Sequence, residues 1–221
     1  MNKKTIAILL IIVVVLAGTG WYVWDKKINS SEAKVEKLMQ INGSGKLSEI
    51  QQKSLVEIKE KLLLSNDDYS ALLNLALIKQ AVGDLDGALA LYEKMRALRK
   101  NDLLPLNNSA SIYFDRGEYV LAEAAHLRIL NDITPKWYNS YNELFSIYQF
   151  HLKDKRGSFE SVLLNGIEKY DEEKLALTNK TAVYYDELMG NVPKAIEYYE
   201  KTLKLSPNDQ VVKKRLKELK K

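Results

Sequence analysis

The chain has 221 residues, 28% of them charged and 46% hydrophobic, with a net charge of +4 spread along its length. These proportions fit a folded chain of one or two domains and exclude a disordered tail or a strongly basic nucleic-acid binder. The chain has no cysteine, which removes disulfides, thiolate nucleophiles, cysteine-ligated zinc and a lipidated N-terminal cysteine.

Residues 1–4 form a short basic tail, and Thr5 to Trp24 carry no charge at all. Twenty residues of helix at about 1.5 Å each span roughly 30 Å of hydrocarbon. Trp21, Tyr22 and Trp24 suit a membrane interface, and Asp25, Lys26 and Lys27 stop the run. Residues 5–24 therefore read as a transmembrane signal anchor. The alternative is a signal peptide cleaved after the small residues Ala17 to Gly20, although bulky aromatics come directly after them. A count of flanking lysines places the C-terminal domain on the cytoplasmic side, whereas a short basic tail before an apolar run has the form of an export signal. The expectation is a single-pass membrane protein with an extracytoplasmic domain over 31–221, joined by a linker at 25–30.

Beyond the linker the apolar period is helical. Leu72, Leu75, Ala76 and Ile78 share one face, and Ala88, Leu91, Tyr92 and Met95 another. Helices are predicted over 31–41, 47–64, 68–82, 85–99, 104–116, 119–132, 137–151, 156–170, 172–189, 192–205 and 209–220, with no strand.

One phrase recurs three times, opening at Gly83, Gly117 and Gly190. A polar residue succeeds each glycine (Asp84, Glu118, Asn191), an alanine comes sixth (Ala88, Ala122, Ala195) and an aromatic ring tenth (Tyr92, His126, Tyr199). The glycine can take the left-handed conformation that ends a helix, and the next residue can cap the following one or suit its positive end. The alanine permits close helix approach, and the ring fills the gap between neighbouring pairs. Gly83 and Gly117 are 34 residues apart, and Gly117 and Gly190 are 73 apart, two periods and five residues. An irregular repeat is therefore expected between 136 and 171.

A period of 34 with two helices per unit resembles the tetratricopeptide repeat (TPR) family. The unit from Tyr69 keeps the family pattern at Leu72, Leu75, Ala76, Gly83, Ala88 and Tyr92, and departs at Lys79, Met95 and Lys100. The unit from Leu103 keeps Leu106, Ala110, Tyr113, Gly117 and Ala122, with His126 in the aromatic slot. The unit from Tyr138 keeps Tyr141, Leu144 and Tyr148, and the last keeps Gly190, Ala195, Tyr199 and Pro207. The resemblance implies an all-α, right-handed α-solenoid after the transmembrane helix, closed by a polar capping helix over 208–221.

Signs of chemistry are weak. The "GSGK" at Gly43 to Lys46 hints at a phosphate loop, but Gln40 stands in place of the first glycine and Leu47 in place of the hydroxyl. A turn between helices is the simpler reading. His126 fills a packing slot, His151 lies at a helix end, and no metalloprotease or catalytic-triad spacing is visible. The expectation is no enzyme, no cofactor, no metal, no nucleic acid and no small-molecule substrate.

In the family, the first helix of each pair lines a concave groove. That register implies groove positions at Leu73, Asn74, Leu77, Asn107, Asn108, Ser111, Phe114, Asn139 and Asn142. Asparagine amides both donate and accept, so they can hold the backbone of an extended peptide, while Leu77 and Phe114 offer apolar contact. The family subtype that clamps acidic C-termini is not implied: Asn108 alone matches, and Leu73, Leu77, Asn139 and Glu143 do not. The resulting expectation is a membrane-anchored scaffold for protein or peptide partners in envelope assembly or quality control. The alternative is a structural subunit that forms homo-oligomers through its repeats.

Overall fold

The computed structural model describes residues 30–221. A helical segment, α1, covers 30–39. After it come α2 (Glu49–Leu64), α3 (Tyr69–Ala81), α4 (Leu85–Leu98), α5 (Leu103–Asp115), α6 (Tyr119–Arg128) and α7 (Tyr138–Ser146). Next are α8 (Phe159–Lys169), α9 (Lys174–Val183), α10 (Val192–Leu205) and α11 (Gln210–Leu219). No strand occurs among the described residues. The helix starts are written locally. Ser48 and Gln51 form a reciprocal capping box at α2, and Asp68, Asp102, Asn191 and Asp209 accept backbone N–H groups at α3, α5, α10 and α11.

The chain divides into two compact units, one ending at Leu98 and the other spanning Arg99–Lys221. In the first, α3 packs on α2 and α4 around buried Leu62, Leu72, Leu75, Ala76, Leu91, Tyr92 and Met95. The loop at 40–48 lies against the α3–α4 turn. Gly45 N–H donates to Val82 O at 2.8 Å, and Asn42 N–H donates to Asp84 Oδ2 at 3.2 Å. A Cβ on Gly43 would stand 2.2 Å from Val82 O. Glycine is needed here for close backbone approach, not for phosphate. Gly43→Ala is expected to cost about 1–3 kcal/mol, as overpacking does, read as a lower urea midpoint.

In the second unit α5 packs on α6, and α9 packs on α8 and α10. Its largest cluster is aromatic: Tyr141, Tyr148, Phe159 and Tyr184 are buried with Leu144, Leu163 and Leu177. The Phe159 ring lies 5.4 Å from that of Tyr148 and 5.9 Å from that of Tyr184. Each such side chain contributes roughly 1.5–3 kcal/mol by leaving water.

Widened helix ends occur within the irregular region and on both sides of it. α6, α7 and α9 each finish in a π-helical turn, at Ile129–Ile133, Ile147–His151 and Tyr184–Leu188. The closing bonds run from Thr134 N–H to Ile129 O, Leu152 N–H to Ile147 O and Met189 N–H to Tyr184 O. Such turns accommodate extra residues without breaking the helix. A 3-10 segment, Lys153–Ser158, then leads into α8. Arg156 holds it in place by donating to Tyr148 O at 3.0 Å and Gln149 O at 2.9 Å. Buried Glu123 adds a second tie, accepting from Tyr148 Oη at 2.8 Å and Lys155 Nζ at 2.6 Å. At the other end, Asp186 receives Arg215 through two bonds, Nε at 2.7 Å and Nη2 at 2.8 Å, together with Tyr199 Oη at 3.1 Å. That fork fastens α11 to the preceding pair.

The single-pass membrane placement expected from sequence, with its extracytoplasmic domain, is corrected. No helix among the described residues is long and apolar enough to cross a membrane. The longest, α2, has 16 residues and is interrupted by charge, short of the roughly 20 apolar residues a span requires. The stretch at 5–24, with its basic tail, lies outside the described residues.

Candidate functional site: a pocket on the first helices of two pairs

The repeated phrase is structural. Gly83, Gly117 and Gly190 have φ of 82°, 74° and 62°, the left-handed values that glycine allows. Ala88, Ala122 and Ala195 are fully buried. The tyrosines point their hydroxyls into the paired helix: Tyr92 Oη donates to Gln80 Oε1 at 2.9 Å and Tyr199 Oη to Asp186 Oδ2 at 3.1 Å. Asp84 and Asn191 cap the helices that come next. Glu118 makes no side-chain cap and instead pairs with Arg116 at 2.9 Å.

Lys79, where the family pattern has tyrosine, is 3% exposed. Its ammonium pairs with Asp84 Oδ2 at 2.7 Å and also donates to Gln40 O. Burial alone would raise the Asp84 carboxyl. The hydrogen bond from Lys79 and those from the Asn42 and Gly87 amides outweigh it and hold the group below its ordinary value of 3.8. The departure from the pattern is thus one of the residues that tie down the loop at 40–48.

In the second unit a pocket of about 210 Å³ opens between α5 and α7. Asn107, Ser111, Phe114 and Asp115 line it from α5, and Asn139 and Glu143 from α7. Within each helix these residues recur at three- and four-residue steps, so they share one face. Asn107 Oδ1 accepts from Trp137 Nε1 at 3.3 Å, which orients the amide. Phe114 is half-buried, edge-on to Tyr119 at 5.4 Å and to His151 at 5.5 Å. His151 stacks on Tyr119 at 3.6 Å. His126 on α6 also lines the pocket and places Nδ1 3.1 Å from Ser140 Oγ. Burial pushes its pKa down to about 4, so the ring is neutral at neutral pH.

Four of the nine expected groove residues, Asn107, Ser111, Phe114 and Asn139, therefore meet in one pocket. Asn108 and Asn142 lie half-buried on the same two helices but do not line it. Leu73, Asn74 and Leu77 belong to α3 of the first unit, where Leu73 is half-buried, Asn74 exposed and Leu77 45% exposed. The pocket carboxylates Asp115 and Glu143 were not among the expected residues. The same i, i+4 spacing that selects Asn107 with Ser111 also selects Ser111 with Asp115 and Asn139 with Glu143. No group of three or more His, Asp or Glu that could hold a metal occurs among the described residues.

No protein-family model matches the chain, and no curated protein does. Solved structures with a similar course include a MamA protein, at 22% identity over 70% of this chain and 81% of that one, with a TM-score of 0.49. A thermophilic TPR protein of Thermus thermophilus shares 19% identity over 77% of this chain and 94% of that one, with a TM-score of 0.43. A tetratricopeptide repeat protein from Parabacteroides merdae shares 18% over 85% and 72%, with a TM-score of 0.48.

Proposed function

We propose that the chain is a protein-interaction scaffold without catalytic activity of its own, and that it holds an extended peptide segment of a partner against α5 and α7. The pocket carries this reading. It juxtaposes two amide side chains, a hydroxyl and an aromatic ring on consecutive first helices, groups that bind a backbone without reacting with it. Its polar groups fall short of what hydrolysis or transfer requires: the Ser111 hydroxyl that lines the cavity donates to Asn107 O at 3.4 Å and is not paired to a base.

The test is site-specific photocrosslinking in cells. A photoreactive residue at Ser111 or Asn139 is expected to trap the same protein, whereas one at exposed Glu197 on α10 is not. Equal labelling from all three positions, or none from Ser111 and Asn139, would overturn the assignment.

A further inference from the structure

Resting on that reading, we infer that the α5–α7 pocket selects a peptide segment that presents a lysine or arginine side chain. Two carboxylates, Asp115 and Glu143, lie on its wall. Neither has an ion-pair or hydrogen-bond partner among the described residues, and the adjacent Arg116 is engaged by Glu118 at 2.9 Å. The cavity therefore presents uncompensated negative charge, whereas Glu118, Glu123, Glu160 and Asp186 in the same unit all have basic partners.

The remaining walls suit the same guest. Phe114 is held edge-on by Tyr119 and His151, which fixes its ring for contact with a cation. His126 is 3% exposed, and its Nε2 has no hydrogen-bond partner among the described residues. When Nδ1–H donates to Ser140 Oγ, Nε2 is left as an acceptor on a ring that lines the cavity, and an incoming N–H donor favours that tautomer. Asn139 supplies a further carbonyl acceptor. A volume of about 210 Å³ admits one long side chain and not a folded domain. An acidic guest would meet two like charges and an aromatic face, with no lysine or arginine among the lining residues to receive it.

The experiment presents a random library of short displayed peptides to the purified full-length chain, in parallel with a variant carrying both Asp115→Asn and Glu143→Gln. Both substitutions fall on unpaired groups, and circular dichroism checks that the variant keeps its helices. Peptides retained by the parent are expected to be enriched in lysine and arginine by about fivefold over the input at one position, and the variant is expected to lose that enrichment while still retaining peptides. Retained peptides without basic enrichment, or with enrichment that survives in the variant, would refute the charge selection and leave the scaffold reading standing. No retained peptide at all would sink both.

Discussion

Replacing Lys79 by methionine is expected to cost about 3–5 kcal/mol, measured by urea unfolding monitored through far-ultraviolet circular dichroism. The ion pair with Asp84 is almost wholly removed from water, at 4% side-chain exposure on each partner. Losing the ammonium leaves a buried carboxylate whose remaining donors are the amides of Asn42 and Gly87. It also frees Gln40 O, so the loop at 40–48 loses a side-chain tie to α3. Adding Asp84→Asn to Lys79→Met is expected to return part of the loss. The site then holds no uncompensated charge, although the single asparagine oxygen can serve only one of the two amides well. Lys79→Met and Asp84→Asn single variants both within about 1 kcal/mol of the parent would show that the pair adds little to stability.

Acid is expected to weaken the second unit before the carboxylates titrate. The folded His126 has a pKa of about 4, against 6.5 for a free imidazole, because burial disfavours its charged form. The folded state therefore binds this proton less readily than the unfolded state. The stabilisation is complete above 6.5 and is lost as pH falls toward 4, a change of roughly 3 kcal/mol at most. The lowered carboxyls of Asp84, Glu160 and Asp186 share the same sign, but their losses begin only near their ordinary values of 3.8 and 4.5. The window from 6.5 down to 4.5 thus isolates His126 from them. His126→Phe restores an aromatic ring that cannot titrate, and it should flatten stability across that window at a cost of about 1 kcal/mol for the orphaned Ser140 hydroxyl. An unchanged slope in that variant would assign the acid sensitivity elsewhere.

The features legible in the sequence are the local ones. The helix over 85–99 is observed at Leu85–Leu98 and that over 192–205 at Val192–Leu205, because a glycine stop, a polar start and a helical apolar period all lie within a few residues of one another. The π-helical turns were not legible. Their bonds skip one residue, and the choice depends on partners outside the local period, such as Arg156 reaching Tyr148 O and Gln149 O. Lys79 stands out in the sequence only as a departure from a pattern because its partners come from two directions: Asp84 lies in the next turn, but Gln40 is 39 residues upstream. The pocket is half legible for a similar reason. Its amides come from helix register, whereas the unpaired state of Asp115 and Glu143 depends on where every other cation settles.

The pin at Lys79 and Asp84 bears on how this chain could be rebuilt. A 34-residue unit is an attractive module for shuffling, but the segment opening at Gly117 carries buried Glu123, whose partner Lys155 lies beyond the unit. The segment containing Gly83 is tied in the upstream direction, since its capping aspartate also receives the amide of Asn42 and the ammonium that grips Gln40. Moved elsewhere without residues 40–45, it would carry a buried salt bridge with one side stripped open. The copies share a grammar, but they are not interchangeable parts.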